Sequence, residues 1–438
     1  MPGLAGIVSS TPRADISLEL ARMSSRLRHF PWYLETRQVN AARTFAIAHV
    51  RLDTQPDRDA PGCWLHGEPP TAFTRAEYVA DRHELVVTND RFGMMPLYYA
   101  VGEGWVIFAT ELKALLTHPA LVPAADPAGW ADVLRFGFAF GEKTVARGVR
   151  CLPGGVRWRV DGRTATVTTE RLWNLAAQFD RPADRHPDLD ALAGEFRLAV
   201  ERCCAGDVSL GVSLSGGYDS RTIHAAIDHQ RCRVQTLTLD VRGGADQIIA
   251  EQIARVTHGL ERHRFIENSD AFFGRWPAYA HEMIWLTDGQ FFDEACVMMS
   301  TLDAYRDAGI AIVLRGHGGE FTRMQWAYEF TCNRRVLACR NQSELGDQLE
   351  SQLTCGLTPA DFHELFRADW AQALTAATAR TLPAALKTVP PHLHPLDQVS
   401  CLYGAEYLRR QSVPSLAELR SRVEVRLPFL DPAYLDLA

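Results

Sequence analysis

The sequence predicts an α/β protein of two domains. At 438 residues, with 47% hydrophobic and 23% charged residues, the chain is too long for one ordinary core. Residues 1–175 hold short β-like runs separated by turn residues, whereas residues 186–438 alternate apolar strands with helical stretches. The first pattern reads as a layered sheet domain. The second reads as a doubly wound parallel sheet, which binds its ligands at the carboxyl ends of its strands.

The β-like runs of the first part are LAGIVSS (4–10), TFAIAHVRL (44–52), ELVVTNDRF (84–92), PLYYAV (96–101) and WVIFAT (105–110). The polar segment AAQFDRPADRHPDLD (176–190), with two prolines, reads as the linker. Beyond it, VSLGVSL (208–214), VQTLTLD (234–240) and GIAIVLRG (309–316) read as strands. DQIIAEQIARVTHGL (246–260) and DEACVMMSTLDAYRDAG (293–309) read as helices between them.

Composition excludes several classes. No stretch reaches the ~18 apolar residues of a membrane span, and the N-terminus has no basic region ahead of its apolar residues, so a cytoplasmic protein is expected. A net charge of −7 gives no case for nucleic acid, and the basic residues are nearly all arginine; the lysines are Lys113, Lys143 and Lys387. The ten cysteines, Cys203 and Cys204 adjacent among them, follow no zinc or redox spacing and read as free thiols.

The most informative stretch is SLSGGYDS (213–220 within VSLSGGYDS). Leu210, Val212 and Leu214 alternate with small residues as in a sheet strand, and SRTIHAAIDHQ (220–230) places Ile223 and Ile227 at helical spacing. Ser215, Gly216 and Gly217 thus form a loop opening onto a helix N-terminus, a ready site for an anion. Asp219 would repel a bare phosphate, so its presence there points to a bridging Mg²⁺. A tight Gly-Gly turn capped by Asp219 or Ser220 is the other reading these residues allow. The pattern is not the lysine-bearing P-loop.

S-G-G-x-D-S resembles the signature of the PP-loop ATP pyrophosphatases, which split ATP into AMP and pyrophosphate. NDRFGMMPLYY (89–99), FATELKALLTHP (108–119), LPGG (152–155) and VEVRLPFLD (423–431) resemble the asparagine synthetase family in order and spacing. That resemblance implies an N-terminal Ntn-hydrolase-like αββα sandwich over 1–175. It also implies a C-terminal PP-loop (HUP-like) synthetase domain over 186–438, with ATP and Mg²⁺ as cofactors. Glutamine-dependent members carry a cysteine after the initiator methionine, whereas this chain reads Met1, Pro2, Gly3. Proline offers no nucleophile, and glutamine hydrolysis by that route is excluded. Arg51 and Asp90 match family substrate positions, while HGEPP (66–70) stands where N-G-E is usual. The first domain is therefore expected to be a scaffold.

Relatives lacking the glutaminase include β-lactam synthetases and lasso-peptide macrolactam synthetases, which adenylate a carboxylate and close a ring onto an amine of the same molecule. By this resemblance Ser213, Leu214, Ser215, Gly216, Gly217, Asp219, Ser220, Leu239, Arg315 and Gly316 would bind ATP, with Thr238 near the adenine. Asp219 and Glu320 would hold the metal, Glu320 replacing an aspartate in IVLRGHGGEF (312–321). His317 occupies the position facing the attacking amine, where a near-neutral pKa would suit it to accept a proton; a polar loop residue is the alternative. G-H-G-G resembles the lasso branch, so a lasso-peptide cyclase is expected. Its substrate would be a precursor peptide, with a leader peptidase and a leader-binding protein as partners and neither nucleic acid nor membrane involved. A small amino acid-derived substrate, a non-catalytic scaffold and ammonia-dependent asparagine synthesis are the alternatives. Asp246 is assigned no role. The family carries a lysine beyond P-F-L-D, and no lysine of this sequence lies there. A tail absent from the sequence or strongly divergent, a substituting arginine and a non-catalytic relative are the three readings; the intact Asp219 loop favours the first.

Overall fold

The computed structural model describes residues 2–179, 188–206, 208–291, 296–322 and 328–438. The first part is a pair of packed antiparallel sheets. Strands β1 (Gly3–Ser9), β2 (Leu34–Val39), β3 (Phe45–Arg51), β7 (Tyr98–Gly102), β8 (Trp105–Ala109) and β9 (Val149–Cys151) form one sheet, in the order β2-β3-β1-β8-β7-β9. Strands β4 (Cys63–Glu68), β5 (Ala72–Val79), β6 (Glu84–Asn89), β10 (Val156–Asp161) and β11 (Thr166–Arg171) form the other, in the order β11-β10-β6-β5-β4.

Alternation explains the layering. On β1, Leu4 and Val8, with Phe45 of the neighbouring β3, face the second sheet, where they meet Trp64, Val87 and Trp158. Ala5 and Ile7 face the opposite way, onto Ile16, Leu20 and Met23 of helix α1 (Ile16–Ser25). A strand covered on both faces reads as a continuous apolar run, which is why LAGIVSS stood out in the sequence. The helix Pro127–Phe136, α2, is set by Asp126, whose carboxylate accepts from the Ala128 amide, with a proline at the first turn.

The second part is a five-stranded parallel sheet: β12 (Leu210–Ser213), β13 (Val234–Asp240), β14 (Arg262–Glu267), β15 (Ile312–Leu314) and β16 (Glu424–Arg426), in the order β14-β13-β12-β15-β16. The chain runs outward from β12 to β14 and then returns to the other side of β12. The strand order therefore reverses between β12 and β15, where α/β sheets place their ligands. The linker segment divides: 176–179 is helical, 180–187 lies outside the described residues, and Asp188 caps helix α3 (Leu189–Cys204) with bonds from the Asp190 and Ala191 amides. The expected helix over 293–309 is Met299–Asp307, with 293–295 outside the described residues. Helix α4 (Tyr218–Ala226) begins inside the S-G-G-x-D-S motif and stops before Ile227, whose backbone is extended, so the Ile223–Ile227 spacing is not a helical one.

Helix α4 carries a histidine that will make the fold acid-sensitive. His224 is buried, its Nε2 bonded to Thr257 Oγ1 at 3.0 Å, with the His229 ring 4.5 Å away and His263 also nearby. Burial first, and then these two histidines, push its pKa down to about 4. The unfolded chain therefore binds its proton first, and stability falls as pH drops from about 6.5 to about 4, by roughly 2 kcal/mol after solvent screening. Urea midpoints measured across that range should show this slope, and His224→Gln should flatten it.

One hydrophobic core crosses between the two parts. Phe92, Met94, Phe136, Phe138 and Phe140 of the first pack with Leu286, Phe330, Tyr403 and Leu419 of the second. Helix α5 (Ala245–Val256) follows β13, and a π-helix, Tyr403–Ser412, runs along this seam and continues into α6 (Val413–Arg420). Its buried arginines are tied to backbone carbonyls of the first part: Arg409 to Gly141 at 2.6 Å and Leu152 at 3.2 Å, Arg410 to Ala139 at 2.8 Å and Lys143 at 2.6 Å. Glu406 accepts from the Gly141 amide at 2.6 Å in the same seam.

Candidate active site

At the carboxyl ends of β12, β13 and β15 lies a cavity of about 330 Å³. Its wall includes Ser213, Leu214, Ser215, Gly217, Asp219, Ser220, Leu239, Arg315, Gly316, His317 and Glu320, so the residues expected at the site are brought together. Gly216 stands behind this wall. Thr238 points into the fold, where its hydroxyl donates to the Leu214 carbonyl at 2.7 Å, and it is Leu239 that meets the cavity.

The loop is tightly satisfied by its own chain. The Ser215 amide donates to Ser220 Oγ at 3.0 Å, the Gly217 amide to Ser215 Oγ at 3.2 Å, and the Gly216 amide to Asp246 Oδ1 at 2.8 Å. Neither glycine has a positive φ, so the pair is not there for a left-handed turn. A Cβ on Gly216 would lie 2.8 Å from Asp246 Oδ1 and 2.9 Å from Ile249 Cδ1, so side chains of α5 crowd this position.

Asp219 joins the two halves of the site. It stands in the first turn of α4, and Cβ atoms placed on Gly316 and Gly319 would meet it at 2.6 and 2.7 Å. Those glycines make room for this side chain at the end of β15. Gly318 has φ +93, and a Cβ there would strike Leu430, so the turn after β15 also depends on glycine. Glu320 is buried; its Oε2 accepts from the Gly318 amide at 3.1 Å, and the Tyr403 hydroxyl hydrogen-bonds it. Burial pushes the Tyr434 hydroxyl up to about 12, with the Asp219 charge adding to it.

His317 differs from expectation in its basicity. Burial, then the positive charges of Arg315 and Arg420, push its pKa down to about 3, because each disfavours a second cation. It is a neutral imidazole around pH 7. Arg315 donates to Ser213 Oγ at 2.6 Å, and Tyr305 also bonds that serine. Among the described residues lining the cavity, Arg315 is the single permanently charged cation. Lys113 is committed to Asp288 and Glu111, and Lys143 to Asp132 and Thr381.

The sequence reading missed Asp246, Met298, Leu314, Tyr328 and Ser412, which complete the wall. Tyr328 stacks on Tyr407, and Tyr407 on Tyr403, with centroids 5.4 and 5.5 Å apart. This links the cavity mouth through the π-helix to Glu320.

The residues present fit a magnesium nucleotide. Leu214, Leu239, Met298 and Leu314 offer an apolar wall, α4 offers a helix N-terminus whose first amides lack intrahelical acceptors, and Asp219 and Glu320 supply the oxygens a hard cation takes.

In the first part, the positions matching a glutamine pocket are occupied by the chain itself. Asp90 is buried and accepts from the Phe73, Phe92 and Met94 amides; burial raises its pKa to about 6 despite these bonds. Arg51 is paired with Asp57 at 2.8 Å, His49 bonds Asp59, and His66 is buried.

A parallel sheet with a serine-glycine loop at its switch point is thus set against an antiparallel two-sheet domain. The asparagine synthase family model matches residues 191–438, and the glutamine amidotransferase domain model matches residues 71–173. The chain belongs to the asparagine synthase family, whose members are ATP-dependent amide-forming ligases. It is 24% identical over 273 residues to asparagine synthetase [glutamine-hydrolyzing] 2 of Bacillus subtilis, covering 57% of this chain and 35% of that protein. It is 29% identical over 199 residues to carboxyethyl-arginine beta-lactam-synthase of Streptomyces clavuligerus, covering 44% of this chain and 34% of that protein. The chain spans about a third of the length of these curated relatives. Among solved structures, glutamine phosphoribosylpyrophosphate amidotransferase from B. subtilis aligns with a TM-score of 0.24 at 11% identity, over 60% of this chain and 80% of that one. No helix among the described residues is long and apolar enough to cross a membrane.

Proposed function

We propose that this protein is an AMP-forming amide synthetase that closes a ring within one substrate molecule, a lasso-type macrolactam in a precursor peptide. The observation that carries the reading is the single cavity holding the S-G-G-x-D-S loop, Leu239 and the 315–320 turn together. In the first step a substrate carboxylate oxygen attacks the α-phosphorus of ATP and pyrophosphate leaves. In the second an amine of the same molecule attacks the acyl carbon, AMP leaves and the amine's proton passes to the neutral imidazole of His317. Bound Mg²⁺ would neutralise charge on the phosphates, held by Asp219 and Glu320.

The chain's own residues do the rest. Arg315, anchored on Ser213, is the cation of the cavity wall available for the negative charge that develops. Neutral His317 accepts a hydrogen bond from the amine. Its low basicity in the free protein rises once an anionic acyl-adenylate lies beside it, because a nearby negative charge favours the imidazolium. Holding both reacting groups on one molecule makes ring closure effectively unimolecular. The self-satisfied Asp90 and Arg51 support a scaffold role for the first part.

The match to carboxyethyl-arginine beta-lactam-synthase favours a second reading, ring closure on a small amino acid derivative. Pyrophosphate release from ATP and Mg²⁺ should be measured with a panel of precursor peptides and small β-amino acids. Release elicited by a peptide, with loss of water from its mass, is the expected result. Release elicited by small amino acids alone would move the assignment to the second reading, and release with neither would leave a peptide-binding scaffold.

A further inference from the structure

The carboxylate of Asp246 occupies a place that the proposed nucleotide needs. It lines the cavity, and its Oδ1 accepts the Gly216 amide at 2.8 Å. The helix that carries it, α5, does not require it as a cap. Asp240 does that work: its Oδ2 accepts from the Gln247 amide at 3.0 Å and its Oδ1 from the Val241 amide at 2.7 Å. Gly244, at the N-cap, is glycine because the Asp240 carboxylate fills the space a Cβ would take, at 2.1 Å. Asp246 is therefore spare for the helix, and its bond reaches across 30 residues to the loop.

The three loop amides differ in how an anion could claim them. Ser215 and Gly217 donate to hydroxyls, of Ser220 and Ser215, and a hydroxyl can rotate and donate to a phosphate oxygen in its turn. Gly216 donates to a carboxylate, which accepts only. A phosphate reaching that amide meets a like charge at contact distance, and the repulsion is large in a partly buried site unless a cation intervenes.

Resting on the nucleotide reading above, we infer that Asp246 is a positioning residue that mimics phosphate. It holds the Gly216 amide in the empty loop and gives it up only to a metal-complexed polyphosphate, which makes binding conditional on the divalent cation. Asp219 and Glu320 hold the metal; Asp246 keeps the metal-free ligand out.

The test is isothermal titration of inorganic pyrophosphate, and separately of ATP, into the full chain, with EDTA and with Mg²⁺. Wild type, Asp246→Asn and Asp246→Ala are compared. Asn keeps an oxygen for the Gly216 amide without the charge, and Ala frees the amide. The expected result is that metal-free pyrophosphate binding strengthens by about tenfold in Asp246→Asn and further in Asp246→Ala, so that the ratio of affinities with and without Mg²⁺ shrinks. A residue that only shaped the loop would give weaker binding in both buffers, and that result, or an unchanged ratio, overturns the proposal. Thermal melts identify a variant that fails to fold, in which case the Asn variant alone decides. Wild type binding neither ATP nor pyrophosphate with Mg²⁺ overturns the nucleotide reading itself; binding with Mg²⁺ but no change in the variants overturns only the role of Asp246.

Discussion

Asp219→Asn will reduce pyrophosphate release by at least two to three orders of magnitude while leaving the fold intact, about 3–4 kcal/mol of transition-state stabilisation. Asparagine matches aspartate in shape, so the side chain still fits against Gly316 and Gly319, where Cβ atoms would otherwise stand at 2.6 and 2.7 Å. What it loses is the charge. In the proposed mechanism that charge holds the cation on which departure of pyrophosphate depends. Circular dichroism and the melting temperature should stay close to wild type, and a variant releasing pyrophosphate at a tenth of the normal rate or better would remove Asp219 from the chemistry. Alanine is the less informative change, since it also empties the space between the two loops.

The second large effect concerns stability. Arg410→Met will destabilise the protein by roughly 3 kcal/mol, because removing one partner of a buried charged network strands the others. The Ala139 and Lys143 carbonyls lose their donors, and Glu406, whose pKa burial already raises, loses a neighbouring cation. Methionine fills most of the volume, so the loss is polar and not a cavity. Calorimetry should show a lowered midpoint, and limited proteolysis should cut first within the 137–148 loop as it comes away from the π-helix. An unchanged midpoint would mean that the seam is held by the shared core around Phe138 and Tyr403 alone.

Much of this was legible along the chain, for local reasons. VQTLTLD is β13 to the residue, since its apolar and β-branched residues suit a buried strand that ends at a charged one. The runs at 4–10, 44–52 and 105–110 are strands for the same reason. β2, β4, β5, β9, β10 and β11 of the first part and β14 and β16 of the second escaped notice; LETRQV and TVTTER, for instance, carry charged residues along largely exposed strands. The site was legible where one motif held it, and the 213–220 and 315–320 residues do meet. It was illegible where a partner lies far away. Asp246 acquires meaning only from Gly216, although the earlier Asp240 already supplies a cap, which leaves Asp246 without a local task. Ser412 and the tyrosine stack lie on a π-helix, whose spacing matches neither of the periods used to read helices and strands. The low pKa of His317 comes first from burial and then from Arg315 and Arg420, and both the burial and the distant Arg420 were hidden in the sequence.

The strand order has a consequence for how the molecule is made. β12 is synthesised well before β15, and β16 follows only after the seam helices, yet these three lie side by side in the sheet. The antiparallel domain pairs near neighbours such as β5 with β6 and β7 with β8 early, although β1 too must wait for the distant β8. The parallel sheet must instead hold an unpaired β12 edge through some hundred residues of translation, a non-local closure that is slow and prone to wrong pairing. Residues 403–426 then add the β16 edge and tie the sheet to the first part. The first part, packed against the seam through a shared core, then serves as the surface on which its neighbour completes folding.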